Sequence, residues 1–169
     1  MDTFSKREAS KREARNLRAE IYNVNGRMRM PIDVHQMARD LNIEIVEKSL
    51  PDNVAGFILK EATDEFPTIY VNSEDGPQRQ RFTIAHELGH YVRERTKEQL
   101  AYVDNRDELA STGVDSEERW CNAFAAELIM PEASVKKYWA EGWSFEKIRT
   151  RLNVSKAALT NRLASLRLI

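Results

Sequence analysis

Apolar residues along the chain fall into two rhythms, one helical and one alternating, and the switches between them mark the elements. Residues 4–22 carry a modest stripe of Ala14, Leu17 and Ile21, with Arg18 among them, in an otherwise charged stretch, which predicts a helix. Asn25-Gly26 is a turn signal that would end it. Val34, Met37, Ala38 and Leu41 recur at helical spacing and predict a second helix over 33–41. Three strand-like runs follow, 43–47, 55–60 and 68–72, each alternating or rich in β-branched residues and separated by turn chemistry. Their short connections favour an antiparallel meander over a parallel sheet. A strongly helical window then spans 78–95. Residues 97–114 are polar and acidic and read as a loop or frayed turn. Another helix starts near Asp115 or Ser116 and stops at Met130-Pro131, because proline disfavours helix in the residue before it. Two or three short helices across 132–150 and 155–165 complete the pattern.

The chain has 169 residues, 41% hydrophobic and 31% charged, which suits a globular core and is too apolar for wholesale disorder. No run approaches the about 18 apolar residues of a membrane span, and the first residues lack the apolar stretch of a secretory signal. Cys121 stands alone, so no intrachain disulfide forms; a cytoplasmic protein with no membrane partner is expected. Charge is uneven: +4 over residues 1–29, −10 over 30–143 and +5 over 144–169. The plainer reading of the basic ends is solvated helix faces, and the sharper one is contact with nucleic acid or an acidic partner.

The helical window over 78–95 contains His86-Glu87-Leu88-Gly89-His90, an H-E-x-x-H pattern that uses two of the three histidines in the chain. Positions i and i+4 share a helix face, so both imidazoles can reach one Zn²⁺ at about 2.0–2.1 Å. Glu87 lies about 100° round the helix from His86, beside such an ion, where it can take a proton from water and pass it on. The plain alternative is a pair of surface histidines on an amphipathic helix. A hydrolytic site needs a third protein ligand and one open position. The longer H-E-x-x-H-x-x-G-x-x-H pattern is absent, with Arg93 in place of its glycine and Thr96 in place of its third histidine, so the ligand must come from elsewhere. Glu118 is one candidate; with Asp115 as N-cap it would merely complete a capping box. Glu117, Glu127 and the acidic stretch with Asp104, Asp107 and Glu108 are its rivals.

Two stretches, Arg81-Phe82-Thr83-Ile84-Ala85-His86-Glu87-Leu88-Gly89-His90 and Glu118-Arg119-Trp120-Cys121-Asn122-Ala123-Phe124-Ala125-Ala126-Glu127-Leu128-Ile129-Met130-Pro131, resemble the paired motifs of the ImmA/IrrE family of metallo-endopeptidases. The helix over 31–41 and the strand Ile69-Tyr70-Val71-Asn72 extend the resemblance to roughly 30–131. It implies that His86, His90 and Glu118 hold zinc and that Glu87 is the catalytic base. Asn122, on the neighbouring polar position, would hydrogen-bond a ligand histidine. Zn²⁺ is the expected cofactor, with Mn²⁺ as an alternative in vitro. The implied substrate is a helix-turn-helix repressor of a prophage, mobile element or stress regulon.

The expected fold is α+β and zincin-like: a small antiparallel sheet against the active-site helix in residues 1–131, followed by a helical segment over 132–169. In that segment Asn153-Val154-Ser155 reads as the turn of a helix-turn-helix, with Ser155 capping the second helix and Ile148, Leu152, Val154, Leu159 and Leu163 as its apolar face. A small helical cap on the core is favoured over a DNA reader presenting Lys156, Thr160 and Asn161. Trp120, Trp139 and Trp143 read as packing anchors, His35 as a surface residue, Cys121 as a small buried hydrophobe, and Glu127 as lining the cleft or solvating a helix end. Tyr91 could donate to an oxyanion, but its spacing does not say where it points. Substrate is expected to dock in extended form on an exposed strand, either 55–60 or 68–72. The competing function is a regulator-binding or DNA-binding module that acts by sequestration and keeps zinc for structure.

Overall fold

The computed structural model describes residues 3–22, 28–95, 100–105 and 116–169. In chain order its elements are α1 (Thr3–Ile21), α2 (Val34–Asp40), β1 (Glu44–Lys48), β2 (Val54–Lys60), β3 (Thr68–Asn72), α3 (Pro77–Glu94), β4 (Leu100–Asn105), α4 (Ser116–Ile129), α5 (Glu132–Ala140), α6 (Phe145–Leu152) and α7 (Lys156–Ser165). The expected α+β class holds, and the predicted helices and strands appear within a residue or two of their predicted limits. The Asn25-Gly26 stop and the Asp115 cap lie outside the described residues.

The sheet corrects three expectations. It is mixed rather than an antiparallel meander, in the order β1-β3-β2-β4. β3 inserts between β1 and β2 and runs parallel to β1, pairing Ile45 with Ile69, while β2 is antiparallel to β3, pairing Ile58 with Ile69. A short connection therefore does not make β1 and β2 neighbours. The second correction is β4, which forms within the stretch read as a loop; it pairs antiparallel to β2 from Lys60 opposite Leu100 onward, with a register shift near Val54 and Gly56. The third follows from these two. β2 and β3 are interior strands with both backbone edges occupied, so neither offers the exposed edge expected for docking; the edges are β1 and β4.

Ile58, Ile69 and Val71 are buried on one face of the sheet and join Ile84 and Leu88 of α3 in a single core. The opposite face carries a stacked pair, Phe57 and Tyr70, with ring centroids 4.7 Å apart. Helix and sheet approach closely at Gly56, where a Cβ would lie 2.5 Å from the Tyr70 carbonyl oxygen and 2.6 Å from Thr83 Cγ2. Only glycine fits between β2 and α3 there. Buried Asn72 secures the entry to α3: its Nδ2 donates to the Val54 carbonyl at 2.9 Å, its Oδ1 accepts from Glu74 N at 3.1 Å, and its own carbonyl accepts from Gln80 Nε2 at 3.0 Å.

The C-terminal helices pack as their pattern predicts. Asn153 takes a left-handed conformation (φ 51°) to end α6, Ser155 Oγ accepts from Ala158 N at 3.1 Å to start α7, and the five apolar positions named above are all buried. They belong to the same core as the sheet. Two buried arginines add bonds across the junction. Arg81 of α3 donates to the Ile32 carbonyl at 2.7 Å and to the carbonyls of Leu152 and Asn153, and Arg162 of α7 donates to the Met130 carbonyl at 3.0 Å.

Candidate metal centre

α3 and α4 cross with their backbones in near contact. A Cβ on Gly89 would sit 3.3 Å from Cys121 Cα and 3.2 Å from Phe124 Cδ1, so the missing side chain sets how near the two helices come. The crossing brings the first turn of α4 against the His86–His90 face of α3. Both histidines are buried, and Glu118 is partly so. Glu118 Oε2 lies 3.0 Å from His86 Nε2, Glu118 Oε1 lies 3.2 Å from His90 Nε2, and the two Nε2 atoms are 3.1 Å apart.

These separations suit a metal. A tetrahedral ion with ligands at about 2.0–2.1 Å holds its donor atoms about 3.3 Å apart, by simple geometry. The proton inventory points the same way. Asn122 Oδ1 accepts from His86 Nδ1 at 2.9 Å, which puts the His86 proton on Nδ1 and turns the Nε2 lone pair toward Glu118. A lone pair of His86 facing a carboxylate needs either a proton or a metal cation between them. His86, His90 and Glu118 can therefore hold a metal ion. Burial alone would raise the Glu118 carboxyl; hydrogen bonds and charge from the two imidazoles outweigh it and hold the group down at about 2, ionised as a ligand must be.

The other residues singled out from sequence separate clearly. Glu87 is fully buried on α3, between the two histidines in sequence. Glu117, a rival for third ligand, sits on the far side of His90, with Oε1 3.8 Å from Nδ1 and 3.7 Å from Arg93 Nε. Glu127 overturns its reading: it neither lines a cleft nor meets solvent. It is buried between Arg18 of α1, at 3.0 Å from Oε1, and Arg162 of α7, which bonds Oε2. The main-chain N of Glu132 adds a bond at 3.3 Å to Oε2. Asp107 and Glu108 lie outside the described residues, and of Asp104 only the backbone in β4 is described. Cys121 is buried, and burial with the nearby carboxylates of Glu118 and Glu87 drives its thiol pKa up, so it stays an inert thiol. His35 is exposed. Trp120 stacks on Phe124 at 5.5 Å and Trp143 on Tyr138 at 4.5 Å, as packing anchors should. Sequence reasoning missed the Arg18–Glu127–Arg162 cluster. Its only signal was an arginine inside the apolar stripe of the first helix.

Residues 38–164 match the model of the IrrE N-terminal-like domain, a span that includes the whole donor set. The chain belongs to the ImmA/IrrE family. Among curated proteins, this family member is 30% identical over 99 residues to the radiation response metalloprotease IrrE of Deinococcus radiodurans, a match covering 56% of this chain and 30% of that one. The chain thus spans about a third of that relative's length. Among solved structures it is similar to a Mycobacterium tuberculosis transcriptional regulator, with a TM-score of 0.63 and 15% identity over 93% of this chain and 46% of that one. That likeness shows the shared fold. No helix among the described residues is long and apolar enough to cross a membrane.

Proposed function

We propose that this protein is a zinc-dependent endopeptidase whose substrate is a helix-turn-helix repressor. One observation carries the reading: in a member of a metallopeptidase family, two imidazole nitrogens and one carboxylate converge at tetrahedral spacing with Glu87 on the same helix. His86, His90 and Glu118 would hold the ion. When bound, it supplies Lewis acidity, polarising a carbonyl and making water a stronger acid. Asn122 orients His86 through Nδ1, and Glu117, 3.8 Å from His90 Nδ1, acts on that ring through its charge. Glu87 accepts the proton of the attacking water and delivers it to the departing amide nitrogen. Among the described residues no strand pairs with the outer edge of β4, a strand packed against α3, and that edge would offer backbone partners to an extended segment of substrate. Such docking selects a flexible linker, and a cut there would part the DNA-binding half of a repressor from its oligomerising half.

The test uses the zinc-loaded chain and its Glu87→Gln variant with a repressor encoded in the adjacent reading frame. Fragments are mapped by mass spectrometry. Wild type should cut once in a linker; Glu87→Gln should retain zinc and partner binding and cut nothing. Equal cleavage by both removes Glu87 as the base. Tight complex formation with no cleavage by either would favour sequestration over proteolysis.

A further inference from the structure

Beside the metal centre, on the neighbouring face of α4, lies a groove of about 620 Å³ that the proposed chemistry touches only through Asn122. Its floor is apolar, built from Phe82, Trp120 and Ala126, and its rim carries Arg7, Arg79 and Arg119. Among the described residues, none that lines it is acidic. Lys11 and Arg162 also reach the groove, but Lys11 is paired with Glu8 and Glu132, and Arg162 with Glu127. The rim arginines have no ion pair among the described residues, and Arg79 Nε is shielded from solvent without a hydrogen-bond partner. A shielded guanidinium N–H with no acceptor costs stability unless something completes it. Three helices also begin here: Gln78 and Arg79 are in the first turn of α3, Ser116 opens α4, and Ser155 caps α7. Their dipoles add positive potential to that of the arginines.

We propose that this groove is a docking site for an acidic amphipathic helix on the protein substrate. For the identity of that partner the inference rests on the peptidase reading above. Charge complementarity selects carboxylates for the rim, and the floor selects apolar side chains between them. Every described lining residue lies on a helix or in the short turns joining helices, and none is on a strand, so an extended peptide would find no sheet edge there for its backbone. A helix needs none, and apolar residues at i, i+3 and i+4 would fill the floor while flanking Glu or Asp meet the arginines. A DNA duplex fits poorly, because the cations ring an apolar hollow rather than a surface that follows two phosphate backbones. The groove is coupled to the metal centre by one residue. Asn122 lines it and accepts from His86 Nδ1. Docking there would tether the substrate by a folded element while its linker reaches the metal.

The probe is a fluorescein-labelled synthetic peptide of about four helical turns, with Leu at core spacing and Glu elsewhere. Its binding to the full chain, with and without zinc, is read by fluorescence anisotropy. The expected result is binding in both metal states, weakened about tenfold or more by Arg79→Gln with Arg119→Gln and blocked by Ala126→Phe, which fills the floor. Circular dichroism and the melting temperature show whether each variant is folded. Replacing Glu by Lys in the peptide should abolish binding to wild type and restore it to the Arg79→Glu, Arg119→Glu variant. Equal binding by wild type and the folded double Gln variant would overturn the proposal, as would a DNA duplex displacing the peptide and depending on the same arginines. In repressor cleavage the double Gln variant should raise KM and leave kcat unchanged. If wild type cleaves nothing, the peptidase reading falls while the anisotropy result still decides the groove.

Discussion

Two glutamates of α4 enter the protein interior and meet opposite fates. Glu127 is enclosed by Arg18 and Arg162, two permanent cations contributed by helices far apart in sequence, and the main-chain N of Glu132 completes its shell. Its charge is answered from within the chain. Glu118 faces two imidazoles, one of them held by Asn122 with its lone pair turned inward, so its shell closes only around something from outside. Both residues look alike in a helical sequence of this composition. The difference between a fastening and a site is whether the counter-charge is covalently present. Burial does not decide it, because the fastening is the more buried of the two.

Substitutions can swap or sharpen this contrast. The largest effect should come from the His86→Ala, His90→Ala double variant, which removes two of three donors and should lose stoichiometric metal by elemental analysis; retained zinc would sink the donor set. Next, Glu118→Gln and Glu127→Gln should behave as opposites. Glu118→Gln should lose metal and keep its metal-free melting temperature. Glu127→Gln leaves two buried guanidiniums short of a counter-charge, which should cost about 3–5 kcal/mol in denaturant unfolding while the folded fraction still binds metal. Equal stability losses in the two variants would erase the distinction. Asn122→Ala should weaken metal affinity by about 10–100-fold, measured by competition with a chelator, because His86 loses the bond that fixes its tautomer and ring plane. The smallest effect belongs to Glu117→Gln. At 3.8 Å from His90 Nδ1 its influence is electrostatic rather than a made hydrogen bond, so its loss of affinity should fall below that of Asn122→Ala in the same assay.

How much of this was legible beforehand follows from the range of each signal. The His86–Glu87–His90 spacing is a property of one helix, and so is the Ser155 cap; both are local and both appear in the structure as read. The face that Glu118 shares with Asn122 is equally local, yet only the α3–α4 crossing shows that it meets the histidines. Strand existence was readable from alternation, whereas strand order was not, because β3 enters between β1 and β2 for reasons of long-range packing. β4 escaped notice since its short apolar run, Leu100-Ala101-Tyr102-Val103, sits beside acidic residues that dominate any window. Glu127 escaped because its partners lie 109 and 35 positions away.

Gly89 has a consequence for metal choice. With no side chain there, α3 and α4 act as the two jaws of a caliper closed to its stop, and the bite between the histidine pair and Glu118 is set by backbone against backbone. A methyl at that point would meet Cys121 Cα and Phe124 Cδ1 inside ordinary contact distance and push the jaws apart by a few tenths of an ångström. That is comparable with the difference between the about 2.0–2.1 Å bonds of zinc and the about 2.3–2.6 Å bonds of calcium. The glycine between the two ligand histidines is thus a size gauge: it touches no ion itself, yet it keeps the site narrow enough to grip small ions and too tight for large ones.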